Sequence, residues 1–235
     1  MNTTASPLLK ARSAGVCQLL EAITATFGQV IVIKKLVSPG NAAVTATNII
    51  GHEGLFWAGF VSSLIGILFH LIWAFLMYDL LKIVNRNLSL LALIIIIVGC
   101  AVQAIMSLLY IAPLYILQNG NSFGAIATLQ LQTVSLLFIN LNSYAFNIYL
   151  VFFGCWCFIS GYLIYRSTFL PGILGILLMV SGLGWMIYLY PPLAASLFVP
   201  FIVTASAIGE IPLEFWLIVK GVNVQRWKEK VQDKL

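Results

Sequence analysis

The chain has 235 residues, of which 61% are hydrophobic and 8% charged, and a formal net charge of +5. A soluble domain is roughly 45–50% apolar and about 25% charged, and a soluble fold of this size lacks the interior to hide so much apolar side chain. The composition excludes a soluble domain, and the continuous apolar runs, which do not alternate with period two, exclude a transmembrane β-barrel.

The sequence reads as all-α, a polytopic membrane helix bundle. A helix rising 1.5 Å per residue needs roughly 20 apolar residues to cross a ~30 Å core, which predicts six spans at residues 14–33, 55–80, 88–110, 143–165, 170–190 and 199–219. The first follows Lys10 and Arg12 as a signal peptide would. Its apolar run is too long for an h-region and no cleavage site precedes the next span, so it is read as a retained helix. After it, SPGNAAVTATNIIGHEG (38–54) offers Asn41 as an N-cap, Ala/Thr-rich helical turns and Gly51 as a stop. This predicts a short helix lying at the outer interface.

Spans two and three join through the short NRN turn at 85–87. The charge-free interval 88–165 must hold two spans, with a turn expected at QNGNS (118–122). Residues 122–141 mix Gln130, Gln132, Thr133 and Ser135 with apolar side chains, and both an interfacial and a re-entrant helix fit them. Gly154 and Gly161 lie seven apart on the fourth span, and Gly172, Gly175, Gly182 and Gly184 make the fifth small-faced, so these faces are expected to pack closely. Trp57, Tyr78, Tyr110, Tyr115, Tyr162, Tyr165, Tyr188 and Tyr190 collect at span ends and read as aromatic belts.

Basic residues near span ends stay cytoplasmic. With the N-terminus inside, only Lys34 and Lys35 of the 12 basic residues fall outside, which places both termini in the cytoplasm. Topology thus accounts for the +5 charge, and no nucleic-acid partner is expected. Residues 1–222 are read as one integral membrane helical domain and 223–235 as a basic cytoplasmic tail that can meet anionic headgroups. The expected location is the bacterial cytoplasmic membrane, crossed several times. Cys17, Cys100, Cys155 and Cys157 fall within spans and form no disulfide framework.

The ionisable residues inside the spans are Glu21, His70, Glu210 and Glu214, with Asp79 near an inner end beside Lys82 and Arg86, where an interfacial ion pair is expected. Counted from the inner boundary at 1.5 Å per residue, Glu214 lies ~8 Å deep, Glu21 ~10 Å, Glu210 ~14 Å and His70 ~15 Å. A charge at mid-bilayer costs roughly 2.5 kcal/mol or more, so such groups face the bundle interior, paired or protonated. Glu210 and Glu214 are spaced i, i+4 and share a helix face, and Pro212 between them cannot donate to the Ile208 carbonyl. With Gln18 and Gln29 on the first span, Gln103 on the third and Asn147 on the fourth, these residues predict a polar pocket in the inner half of the bundle. Catalytic candidates are Glu210, Glu214, His70 and Glu21; ligand-binding candidates are Gln18, Gln103 and Asn147. No ExxH or HExxH pattern, Walker loop, dinucleotide fingerprint or GxSxG elbow is present, so no metal site and no cofactor are expected.

Four segments together resemble the bacterial membrane proteins grouped as domain of unknown function 4386: VSPGNAAVTATNIIGHEGLFWAGF (37–60), LKIVNRNLSLLA (81–92), VFFGCWCFISGYLIYRSTFLPGILGILLMVSGLGW (151–185) and IGEIPLEFWLIVKGV (208–222). The resemblance runs in order along nearly the whole chain. It implies an integral membrane protein of about six helices and no agreed activity. Where members of that family often read FLDLHDYG, this chain reads FINLNSYA (138–145), with Asn140, Asn142 and Ser143 at the acidic and His positions. Glu210 stands at the family's GE pair and is the residue the resemblance carries over first.

Three classes of function fit: an integral membrane protein whose acid-lined pocket binds a small or lipophilic ligand; an intramembrane acid–base enzyme acting on a lipid or isoprenoid substrate; and a proton-coupled carrier. The expected partners are membrane lipids, such a ligand and a second copy of the chain. The absence of internal repeats weighs against the carrier.

Overall fold

In the computed structural model, which describes residues 6–120 and 127–232, the regular elements are helices, with no strand among the described residues. In chain order, α1 (Pro7–Thr26) passes through a π-helical turn (Phe27–Val32) into α2 (Ile33–Leu36). Then come α3 (Ala42–Gly51), α4 (Glu53–Leu81), α5 (Arg86–Gln118), α6 (Thr128–Arg166) and α7 (Gly172–Met186). After a 3-10 turn (Ile187–Leu189), α8 (Pro191–Leu197) leads through a second π-helical turn (Phe198–Val203) into α9 (Thr204–Val219), and α10 (Val224–Gln232) follows. Among the described residues, six stretches are long and apolar enough to cross a membrane: Pro7–Leu36, Glu53–Leu81, Arg86–Gln118, Thr128–Arg166, Gly172–Leu189 and Pro200–Val219. They are the six spans expected. Several run one to four turns past the expected bounds, because a helix end is set by caps rather than by the limit of the apolar run.

The short helix after the first span is present. Asn41 Oδ1 accepts the Val44 N–H at 3.0 Å, the N-cap bond its sequence position predicts. The helix ends at Gly51, as expected, with His52 as its C-cap, and α4 begins at Glu53. From Thr128 onward, residues 122–141 are the opening turns of α6, continuous with the fourth span. Thr133 Oγ1 and Ser135 Oγ bond back to the carbonyls of Leu129 and Leu131, so these polar side chains are satisfied without breaking the helix. Residues 121–126, and with them Asn121 and Ser122 of the expected QNGNS turn, lie outside the described residues.

By its contacts the chain divides into two compact units, Met1–Leu20 with Phe69–Cys100 and Ile148–Leu235, and Glu21–Leu68 with Ala101–Asn147. In the first, α6 and α7 meet through glycines. A Cβ at Gly154 would lie 2.7 Å from the Gly182 carbonyl oxygen, and one at Gly161 would lie 2.6 Å from that of Gly175. Only bare backbones approach so closely, and in lipid such van der Waals contact replaces the hydrophobic drive to associate. Lys10 and Lys82 both pair with Asp79, and Arg12 Nη2 donates to the Val219 carbonyl at 3.3 Å. The ion pair expected at Asp79 is there, with Lys10 as an added partner. Gly221, at φ 68, turns the chain out of α9 into α10. Trp227 Nε1 then donates to the Leu80 carbonyl at 3.3 Å, and Arg226 to that of Thr168 at 3.2 Å.

The second unit has a core of Val32, Leu36, Ile49, Phe56, Tyr110, Leu114 and Ile139. Tyr110 therefore departs from the aromatic-belt reading: it is buried, and its hydroxyl donates to the Gly28 carbonyl at 3.2 Å. Trp57, Tyr115, Tyr162, Tyr165 and Tyr190 are exposed, as belt residues would be.

Candidate functional site

In the first unit Glu210 is held by two donors from a neighbouring helix. A Cβ at Gly209 would lie 2.5 Å from the Leu177 carbonyl oxygen and 2.6 Å from Ser181 Cβ, so α9 and α7 are nearly in backbone contact at this level. That approach brings Glu210 to Ser181 and Trp185, which share one face of α7 at i, i+4. Ser181 Oγ donates to Glu210 Oε1 at 2.5 Å and Trp185 Nε1 donates to the same oxygen at 2.6 Å. Two short bonds to one oxygen fix the carboxylate's position and tilt.

His70 lies in the same unit. It is buried, and its Nδ1 is 3.0 Å from the Tyr149 hydroxyl. An aromatic cluster runs from it toward Glu210. His70 meets Trp73 edge-on at 4.8 Å and Phe153 at 5.6 Å, Trp73 lies 4.3 Å from Trp156, and Phe153 lies 6.1 Å from Trp185. Phe153 thus touches both the imidazole and the indole that holds Glu210. Chemically, the arrangement offers a positioned acceptor, a Tyr–His pair able to pass a proton, and a ring wall on which a flat or apolar group can stack.

Glu214, 6% exposed, lies one turn further along the same helix face. A Cβ at Gly15 of α1 would lie 3.0 Å from the Glu214 carbonyl oxygen, so this turn of α9 packs on α1. Gln18, also buried, is on α1 in the same unit. The structure therefore brings Gln18, His70, Glu210 and Glu214 into one unit and assigns Glu21, Gln103 and Asn147 to the other. There, Thr24 Oγ1 donates to the Glu21 carbonyl and Ser107 Oγ to that of Gln103; Gln103 is buried and Asn147 half-buried.

The second unit also holds a polar network that the sequence did not reveal as one. Asn142 Nδ2 donates to Gln29 Oε1 at 3.0 Å, Gln29 Nε2 to Ser63 Oγ at 3.3 Å, and Ser63 Oγ to the Gly59 carbonyl at 2.9 Å. Gln29 and Gly28, the acceptor of Tyr110, both belong to the first π-helical turn, a feature frequent at functional sites. Gln29 was visible as a polar residue in a span. Its partners were not, because a π turn shifts every later side chain by one position on the helix face.

Two grooves open elsewhere. One of about 310 Å³ in the second unit is lined by Trp57, Leu108, Ile111, Leu114, Tyr115 and Gln118, and one of about 190 Å³ in the first by residues that include Leu177, Phe201 and Ile208. None of the sequence-predicted site residues lines either. α9 runs through Pro212 as one helix. Among the described residues, no group of three or more His, Cys, Asp or Glu comes together in a way that could hold a metal ion.

The chain is 35% identical over 71 residues to an uncharacterized protein of Archaeoglobus fulgidus, a match that covers 30% of this chain and 43% of that one. It thus spans less than half the length of this relative. No solved structure matches it. Residues 13–221 match the family described as Domain of unknown function (DUF4386), nearly the whole helical part described above and including every predicted site residue. The chain belongs to this family of unknown function, Domain of unknown function 4386.

Proposed function

We propose that the protein is a multi-pass integral membrane protein that binds a small or lipophilic ligand at Glu210, with both termini on the cytoplasmic side of a cytoplasmic membrane. One observation carries this reading: the half-buried carboxylate is held at one oxygen by Ser181 and Trp185, two neutral donors on the same face of α7. Placing a carboxylate inside a span costs roughly 2.5 kcal/mol or more, and an acid so placed and so oriented is suited to a ligand's hydroxyl or amine, with Trp185 and Phe153 as the apolar wall. The proposed orientation is supported by the Lys10–Asp79–Lys82 cluster, which brings the start of α1 and the end of α4 to the same end.

Glu210→Gln keeps the shape and changes the charge. Native mass spectrometry of the gently purified variant is expected to show ligand retention reduced about tenfold, a loss of about 1.4 kcal/mol, with the melting temperature within ~4 °C of the parent. Full retention with a large fall in melting temperature makes Glu210 a structural residue and ends the reading.

The Tyr149–His70 pair favours a second reading, an intramembrane acid–base enzyme acting on a lipid or isoprenoid substrate, in which Glu210 and His70 give and take a proton on either side of Phe153. Lipid extracts of cells with and without the gene test it; indistinguishable extracts under several growth conditions count against an enzyme.

A further inference from the structure

Two buried polar atoms of the first unit have no hydrogen-bond partner among the described residues: Gln18 Oε1, on a residue 2% exposed, and the Trp73 indole N–H, on a residue 0% exposed. One is an acceptor and the other a donor. Each left unmet costs about 1–3 kcal/mol, and roughly nine in ten buried polar groups in native proteins are satisfied.

Helix register brings the two residues to a similar level on α1 and α4. In the second unit a Cβ at Gly66 of α4 would lie 3.0 Å from Thr24 Oγ1 and 3.5 Å from the Ala25 nitrogen of α1, and Ser62 Oγ donates to the Thr24 carbonyl. In the first unit Lys10 pairs with Asp79, so the two helices run antiparallel. Counted from the Lys10–Asp79 pair, eight residues along α1 reach Gln18 and six back along α4 reach Trp73, so the two lie within about half a turn of one another in level. Around α1, Gln18 lies about 80° from Lys10, which faces α4, and about 60° from Gly15, which faces α9, so it points between those two helices. His70 and Trp156 pack on the Trp73 rings at 4.8 and 4.3 Å and hold the indole in place. Across the other contact of α1, Gly15 meets Leu217 and Ile218, which puts Gln18 level with Glu214 about one turn further on.

We propose that a single hydroxyl, from a buried water or from the alcohol group of a lipophilic ligand, is bound between Gln18 and Trp73. It donates its hydrogen to Gln18 Oε1 and accepts the Trp73 indole N–H, meeting both groups at once. An apolar occupant meets neither, an ion meets one, and a hydroxyl has both capacities. The site lies on the α1–α4 face and depends on neither Ser181 nor Trp185, so it stands or falls separately from Glu210.

The test uses the full-length protein in lipid vesicles with 15N-labelled tryptophan. The Trp73 indole proton, assigned by its loss in Trp73→Phe, is expected to show a solid-state NMR cross-peak to a hydroxyl proton. A cross-peak at the water frequency identifies water as the source, and one at an organic alcohol identifies a ligand. In Gln18→Met, which keeps length and removes the acceptor, the cross-peak is expected to be lost and the melting temperature to fall by about 2–4 °C, as for one hydrogen bond. Absence of any hydroxyl cross-peak in the parent overturns the proposal. So does a Gln18→Met variant that keeps the cross-peak or melts no lower than the parent.

Discussion

The two units treat buried polarity in opposite ways. In the second, Gln29, Asn142 and Ser63 are amides and a hydroxyl, each able to give and accept, and they end on a backbone carbonyl, as does the hydroxyl of Tyr110. In the first, besides the amide of Gln18, a carboxylate and an imidazole stand among rings and hydroxyls, with Glu210 held by Ser181 and Trp185 and His70 beside Tyr149. A network of amides and hydroxyls satisfies itself, whereas an ionised carboxylate only accepts and needs donors from elsewhere. The difference teaches where to look for chemistry: the second unit's polarity suits fixing helix register, and the first unit's suits meeting a third party.

The comparison can be broken most severely at Gly161. Leucine there cannot coexist with the Gly175 carbonyl 2.6 Å from its Cβ, so α6 and α7 must separate. The expected cost is about 3 kcal/mol or more, seen as loss of the monodisperse peak in size-exclusion chromatography. Asn142→Leu breaks the second unit's network and leaves the half-buried Gln29 side-chain carbonyl without its donor. It is expected to lower the melting temperature by about 4–8 °C, from about 2 kcal/mol, without changing ligand retention, the converse of Glu210→Gln. Reduced retention in Asn142→Leu at unchanged stability dissolves the distinction between the units. Tyr110→Phe, which removes only the bond to the Gly28 carbonyl, is the mildest change; a fall of about 2–4 °C in a thermal melt is expected.

Much of this was legible along the chain. Six spans, the Asn41 cap, the Asp79 ion pair and the close packing of the Gly154 and Gly161 face follow from local rules, because length, capping and helical spacing involve residues near one another in sequence. Glu210 was found as an acid where an acid is costly. Ser181 and Trp185 were not, since serine and tryptophan in an apolar helix are unremarkable until α7 is laid against α9. Gln29 and Asn142, 113 positions apart, form a pair only through tertiary contact. Tyr110 read as a belt residue because its position near a predicted span end was visible and the core around it was not.

By itself the sequence determined an all-helical chain with six membrane-length helices and a short capped helix after the first, since apolar length and local capping are properties of contiguous residues. Tertiary structure decided which acid meets which donor: Glu210 faces Ser181 and Trp185 on α7, while Glu214, one turn away on the same face, packs on α1. Helical periodicity tells which side chains share a face, but the neighbour on that face depends on which helix packs there, and for α9 the glycine contacts at Gly209 and Gly15 settle that choice.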